Sequence, residues 1–358
     1  MHAIMKQRIY YIDQIKIFLT CMVIAHHAAQ AYGPTGGVWV VNDPSKAQWL
    51  GQFFFINASY MMGLYFFISG YFMVFSIKRK SNLAFINDRL KRLGIPLVFF
   101  TLLIFLPFNY IFSETKTNVF SFFINSYLHL PPIATGHLWF VASLLLYSVA
   151  YIFLFHKPFL SWSKKAGIFT AGHIVFFTLI VTVLSAAIRL KYPIDTWRTW
   201  LIPVEPAHIP QYFLLFLAGA FFNHTNWLDQ VNTKQSTLFF IFAAVSFIVK
   251  EQLPAEIKNY WITESLIESV LCTGISLGIL GFFKLYMNRT NAFLSKLSAN
   301  VYGIYLVHVI IVILLQFLLL SITINANIKF ITVSFAGIII SFLFSSLLRR
   351  SKKISSII

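Results

Sequence analysis

Apolar runs of about 20 residues, separated by short polar stretches, recur from one end of the chain to the other. Runs such as "GLYFFISGYFMVF" and "VHVIIVILLQFLLL" lack the strict alternation of a barrel strand, so the pattern predicts helices. Ten spans are expected, at residues 11–32, 49–77, 93–112, 136–156, 166–188, 208–224, 235–250, 262–286, 300–320 and 327–348. Two of the connections are longer than a simple turn needs, and long ordered loops tend to carry function. One is "SETKTNVFSFFINSYLHLPPIATG", residues 113–136, whose middle is expected to lie along the interface as an amphipathic turn of helix. The other is "RLKYPIDTWRTWLIPVEPAHIPQ", residues 189–211, rich in proline and tryptophan.

Composition strengthens this picture. Of the 358 residues, 58% are hydrophobic and 11% charged, where a soluble domain carries about a quarter charged. The expected fold is an all-α, polytopic integral membrane protein with about ten transmembrane helices. No polar block of domain size interrupts the spans, so residues 1–358 read as a single transmembrane domain without a fused soluble one. The first apolar run has no small-residue cleavage site after it and reads as a retained helix rather than a signal peptide.

A formal charge of +17 raises the question of nucleic acid, and the distribution answers it. Alternate loops and both ends hold 19 of the 28 basic residues, including "KRK" at 78–80, "RLKR" at 89–92 and "RRSKK" near the C-terminus. The positive-inside rule then places both termini in the cytoplasm and predicts membrane lipids as the partner of this charge, not nucleic acid. A bacterial cytoplasmic membrane is the expected location. Cys21 and Cys272 both lie in apolar runs, so neither a disulfide framework nor a metal site is expected.

Polar residues inside the spans are the candidate chemistry. In "DQIKIFLTCMVIAHH", His27 lies eleven positions after Lys16, about three turns plus 20°, so the two share a helix face about 16 Å apart. Asp13 and Thr20 fall in the same stripe, whereas His26 points about 80° from Lys16. His27 is either a histidine hydrogen-bonded between helices or a general base, since imidazole titrates near neutral pH. Asp13 and Lys16 fit equally well as residues snorkelling to water. Ser69 and Gly70 allow close helix approach. Arg89 and Arg92 share a face, suited to phosphate oxygens or simply obeying the charge rule. His137 and Trp139 begin the fourth span, Glu264 and Glu268 sit four apart in the eighth, and Tyr305 and His308 three apart in the ninth.

Taken together, "DQIKIFLTCMVIAHH", "FFISGYF", "RLKR", "HLWFV" and "YGIYLVH", in this order and spacing, resemble the acyltransferase 3 family over nearly the whole chain. "GHLWFVASLLLYSVAY" and "PAHIPQYFLLFLAGAFF" look most like its branch of glucan succinyltransferases and other surface-polysaccharide modifiers. The resemblance implies an O-acyltransferase that takes acetyl or succinyl from cytoplasmic acyl-CoA. The acceptor would be a hydroxyl of an extracytoplasmic polysaccharide, glycan or lipid-linked sugar. Acyl-CoA is then a co-substrate, with no permanently bound cofactor. By the same resemblance His27 is the catalytic histidine, with Lys16 and Asp13 beside it on the helix face. Arg89 and Arg92, with Ser69 and Gly70, belong to acyl-CoA handling. His137, Trp139, Glu264, Glu268, Tyr305 and His308 are left to bind the acceptor or support the base. Lys16 departs from the family's commoner arginine and lacks its bidentate fork. Some relatives carry a soluble hydrolase-like domain, so this chain is expected either to complete transfer itself or to hand over to a separate extracytoplasmic transferase. The rival expectation is an exporter of polysaccharide or lipid-linked sugar that uses His27, Glu268 and His308 as a proton relay. Many such folds show inverted repeats, and none is visible in this sequence.

Overall fold

The computed structural model describes residues 8–34, 39–111, 118–128 and 135–358. In chain order its main helices are α1 (Tyr10–Gln30), α2 (Leu50–Ile77), α3 (Asn82–Ile111), α4 (Val119–Leu128), α5 (Gly136–Ser163), α6 (Ala171–Arg189), α7 (Ile209–Thr225), α8 (Thr233–Gln252), α9 (Trp261–Tyr286), α10 (Ala292–Leu320) and α11 (Ala326–Leu348). Eight of these, all but α1, α4 and α7, are long and apolar enough to cross a membrane. The chain is thus an all-α, multi-pass membrane protein. The other two expected spans are present as helices: α1 carries Asp13 and Lys16, and α7 has 17 residues. The loop helix expected within 113–136 is α4, while residues 112–117 and 129–134 lie outside the described residues.

Local chemistry sets the helix ends. Side chains of Ser81, Asn232, Asn291 and Asn325 accept hydrogen bonds from backbone N–H groups at the starts of α3, α8, α10 and α11. Asn226, with φ +56°, ends α7 in the left-handed conformation that asparagine tolerates. The 189–211 loop carries one small hairpin, Arg198–Thr199 paired antiparallel with Pro203–Val204.

α2 is the most enclosed span, 72% of its apolar window being buried, whereas α8 is 17% buried and largely presents apolar side chains outward. α1 is packed among α2, α9, α10 and α11. α2 and α7 cross at Gly70 and Gly219, where a Cβ on either glycine would run into the other helix's backbone at Phe216 or Phe67. Gly70 therefore serves this crossing, the close helix approach that its residue type allows.

Helix α3 is not a uniform α-helix. It widens to π-helical turns at Leu90–Gly94 and Phe100–Phe105, and α5 does so at Tyr151–Phe155. The first of these lies within "RLKRLG", so Arg89 and Arg92 sit where the backbone is locally rewound.

Candidate functional site

Three histidines from distant parts of the chain converge. His27 lies in the last turn of α1, His137 opens α5 and His308 is in the middle of α10. Ring centroids are 4.7 Å apart for His137 and His308, 5.2 Å for His27 and His308, and 6.3 Å for His27 and His137. Tyr305 ties two of them: its carbonyl oxygen is 2.7 Å from His308 Nδ1 and 2.8 Å from His137 Nε2, and its hydroxyl donates to the His137 carbonyl. Nδ1 of His27, Nδ1 of His137 and Nε2 of His308 are buried with no hydrogen-bond partner among the described residues. Each such atom costs about 1–3 kcal/mol. Three in one place make this cluster a candidate catalytic centre. Among the described residues, no set of three or more His, Cys, Asp or Glu side chains is arranged to hold a metal ion.

His26 faces elsewhere, as the helical geometry required. Its ring nitrogens lie 3.4 Å from Asn57 Nδ2 and Gln30 Nε2, and Phe54 packs against it at 5.2 Å.

Below the histidines is a cavity of about 650 Å³. Its lining includes Lys16, Lys80, Arg89, Lys91 and Arg92, with Ser69 and Ser76 on one wall. Asp88 also lines it, but is held by Lys80. The cavity thus gathers Lys16, Ser69, Arg89, Arg92 and Tyr305, which lie far apart in sequence. From Ser76 to Tyr65, eleven residues of α2, it runs about 16 Å along the helix. Its other end is apolar and aromatic, formed by Tyr65, Phe140 and Tyr305, whose rings adjoin at 5.8 and 5.7 Å. Tyr65 donates to the Lys16 carbonyl at 2.8 Å, which closes the layer against α1.

This layer lies between Lys16 and His27, which the sequence placed on one face of α1. Lys16 lines the cavity; none of the three histidines does, among the described residues. The Tyr305 ring has the cavity on one side and His137 and His308 on the other, at 5.1 and 5.7 Å. Tyr305 thus adjoins both the cavity and the histidine cluster. The Lys16 ammonium is 4.3 Å from the centre of the Phe72 ring and 3.5 Å from Asp13. Asp13, also bound by Arg8, is fourteen residues and about 21 Å from His27, so it neutralises cations at the helix start and takes no part at the imidazole.

Glu268 belongs to a second buried centre that the sequence reading did not foresee. It pairs with Arg189 from the end of α6, and its Oε1 is 2.8 Å from His208 Nδ1 just before α7. Glu205 lies 3.4 Å from His208 Nε2. Burial pushes the Glu205 carboxyl up, but His208 and the Asp195 amide outweigh it and hold the group below the usual carboxylate range. Arg189 and His208 read as loop residues because their partner is sixty or more positions away; only the intramembrane Glu268 advertised the need for a cation. Glu264, one turn nearer the start of α9, is half-buried and is not among the ion-paired residues of this cluster. Trp139 is stacked on Tyr212 at 5.5 Å, and Tyr212 on His208 at 5.6 Å, so an aromatic wall stands between the two polar centres. On the opposite flank a buried ion pair, Asp43 with Lys329 at 2.6 Å, pins the loop after α1 to α11 beside a pocket of about 430 Å³.

Comparison with known proteins gives a consistent assignment. The acyltransferase domain family profile matches residues 9–350. The glucans biosynthesis protein C of Shigella dysenteriae serotype 1 (strain Sd197) is 23% identical over 321 residues, covering 86% of this chain and 83% of that protein. Proteins of the same name from Escherichia coli O81 (strain ED1a) and Escherichia coli K12 match with the same identity and coverage. No solved structure matches the chain.

Proposed function

The chain belongs to the acyltransferase 3 family, and from that premise we propose that it moves an acyl group from cytoplasmic acyl-CoA to a hydroxyl of an extracytoplasmic glycan, with His27 as the base. The relatives' name, glucans biosynthesis protein C, favours a glucose polymer as the acceptor. The observation that carries the reading is the adjacency of two unlike compartments. A cavity with five cationic side chains suits the phosphates of a nucleotide thioester, and beyond the Tyr305 ring lie three imidazoles, each with one nitrogen unpartnered among the described residues.

In this reading Arg89 and Arg92, with Lys91, hold the donor phosphates, and the thioester extends along Ser69 and Phe72 toward Tyr305. The acceptor hydroxyl approaches from the far side of the histidines. Its oxygen attacks the thioester carbonyl carbon while His27 Nδ1, which has no partner among the described residues, takes its proton. The C–S bond breaks, the ester forms, and the coenzyme A thiolate leaves through the cationic cavity and takes up a proton. Movement of Tyr305 or its neighbours joins the two compartments for this step. His137 and His308 keep the base in a polar setting within an apolar bundle.

The test is purified protein in lipid nanodiscs with radiolabelled acetyl-CoA or succinyl-CoA and a glucan oligosaccharide. Label should pass to the sugar with the parent and not with His27→Ala, while the variant inserts and purifies normally. Glycan movement across proteoliposomes without transfer of label would replace this reading with that of an exporter.

A further inference from the structure

We propose that Trp39 and Gln316 form a clamp that positions the His27 ring for proton transfer. The inference rests on the reading of His27 as the base and assigns two positioning residues to that reaction.

The clamp is a closed set of contacts. The indole of Trp39 lies nearly parallel to the His27 imidazole, 20° between planes and 5.3 Å between centroids. Its N–H donates to Gln316 Oε1 at 2.7 Å. The Gln316 amide then donates to the carbonyls of His27 and Ala28, each at 3.0 Å. His27 is thereby held through its backbone by the amide and through its ring by the indole, and the two holders are bonded to each other. Gln316 is fully buried, so no water competes for these bonds.

Two physical arguments separate this from ordinary packing. His27 and Ala28 fall in the last turn of α1, where carbonyls lack their helical donors. A lone glutamine side chain would satisfy them, but the sequence adds an indole whose only polar atom completes the set. Secondly, the ring covered is the one that gains charge when it takes a proton, and an indole face attracts a cation more strongly than phenyl does. The stack therefore favours the protonated state formed as the acceptor attacks, besides fixing the ring's direction.

The experiment compares Trp39→Phe, Trp39→Leu, Gln316→Glu and Gln316→Leu with the parent in nanodiscs, reading kcat and both KM values with acetyl-CoA or succinyl-CoA, whichever the parent uses. Trp39→Leu and Gln316→Leu should lower kcat about 100-fold, with both KM values within about 3-fold. Trp39→Phe, which keeps a ring face but loses the N–H, should fall between. Gln316→Glu can still accept from the indole but cannot donate to the carbonyls, and should lose kcat while keeping the shape of the site. Thermal melting of Trp39→Phe and Gln316→Glu reports folding, so failure of a leucine variant to fold leaves the pair decisive. Retention of kcat by Trp39→Leu within about 3-fold, or losses that merely track the folded fraction, overturns the clamp. An active parent with inactive His27→Ala and active Trp39→Leu overturns the clamp alone. A parent that transfers nothing removes the reading beneath it and the clamp with it.

Discussion

At the scale of single residues, the division of labour follows from where each side chain ends up rather than from its type. Arg89 and Lys16 are both cationic and both line the cavity, yet Lys16 already has Asp13 and the Phe72 ring as partners. Arg89 stacks on Phe85 at 5.0 Å, which leaves the edges of its guanidinium for a ligand. Arg89→Ala should therefore raise the KM for acyl-CoA about 10-fold, the loss of one charge-assisted bond, with kcat nearly unchanged. Arg89→Lys should recover part of the loss. An unaltered donor KM would reduce the pair to a topological signal. The sequence was informative about residues whose partners lie on the same helix, as for Lys16 and Asp13 or Tyr305 and His308. It was silent on Arg189, His208, Trp39 and Gln316, whose significance appears only when distant spans meet.

At the scale of elements, a helix answers to each of the ten expected spans, because a segment in lipid must satisfy its own backbone, though 11–32 overruns the end of α1 and 166–188 starts ahead of α6. Hydropathy did not reveal the π-helical turns, since rewinding a helix leaves no mark on it. Nor did it decide the role of "SG" at residues 69 and 70. Ser69 faces the cavity, whereas Gly70 faces the α7 backbone and sets how closely that helix approaches. Gly70→Val should push the helices apart and lower the melting temperature in detergent, by an amount corresponding to about 1–3 kcal/mol of overpacking. Ser69→Ala should leave melting unchanged. If Gly70→Val melts with the parent, the crossing is looser than the geometry requires.

At the scale of the whole molecule, charge and chemistry point the same way. The cationic cavity opens among the basic loops that the positive-inside rule assigns to the cytoplasm, and the Asp43–Lys329 pocket lies at the other end of the bundle. In a Cys21→Ser, Cys272→Ser background, Thr323→Cys should react with an impermeant maleimide applied from outside intact cells. Ser356→Cys, on the cavity lining, should react only after permeabilisation. The reverse pattern would invert the bundle and the direction of transfer with it. Charge counting supplies this expected polarity from the sequence alone. The two-compartment interior was not legible, because Tyr65, Phe140 and Tyr305 come from three spans and look like ordinary bundle aromatics in the sequence. Their layer bears on the economy of the cell as well as on catalysis. A water-filled passage joining both faces would short-circuit the voltage stored across the bilayer at every copy of the enzyme. With three rings closing the inner end of the cavity, the proposed transfer would proceed without opening such a leak.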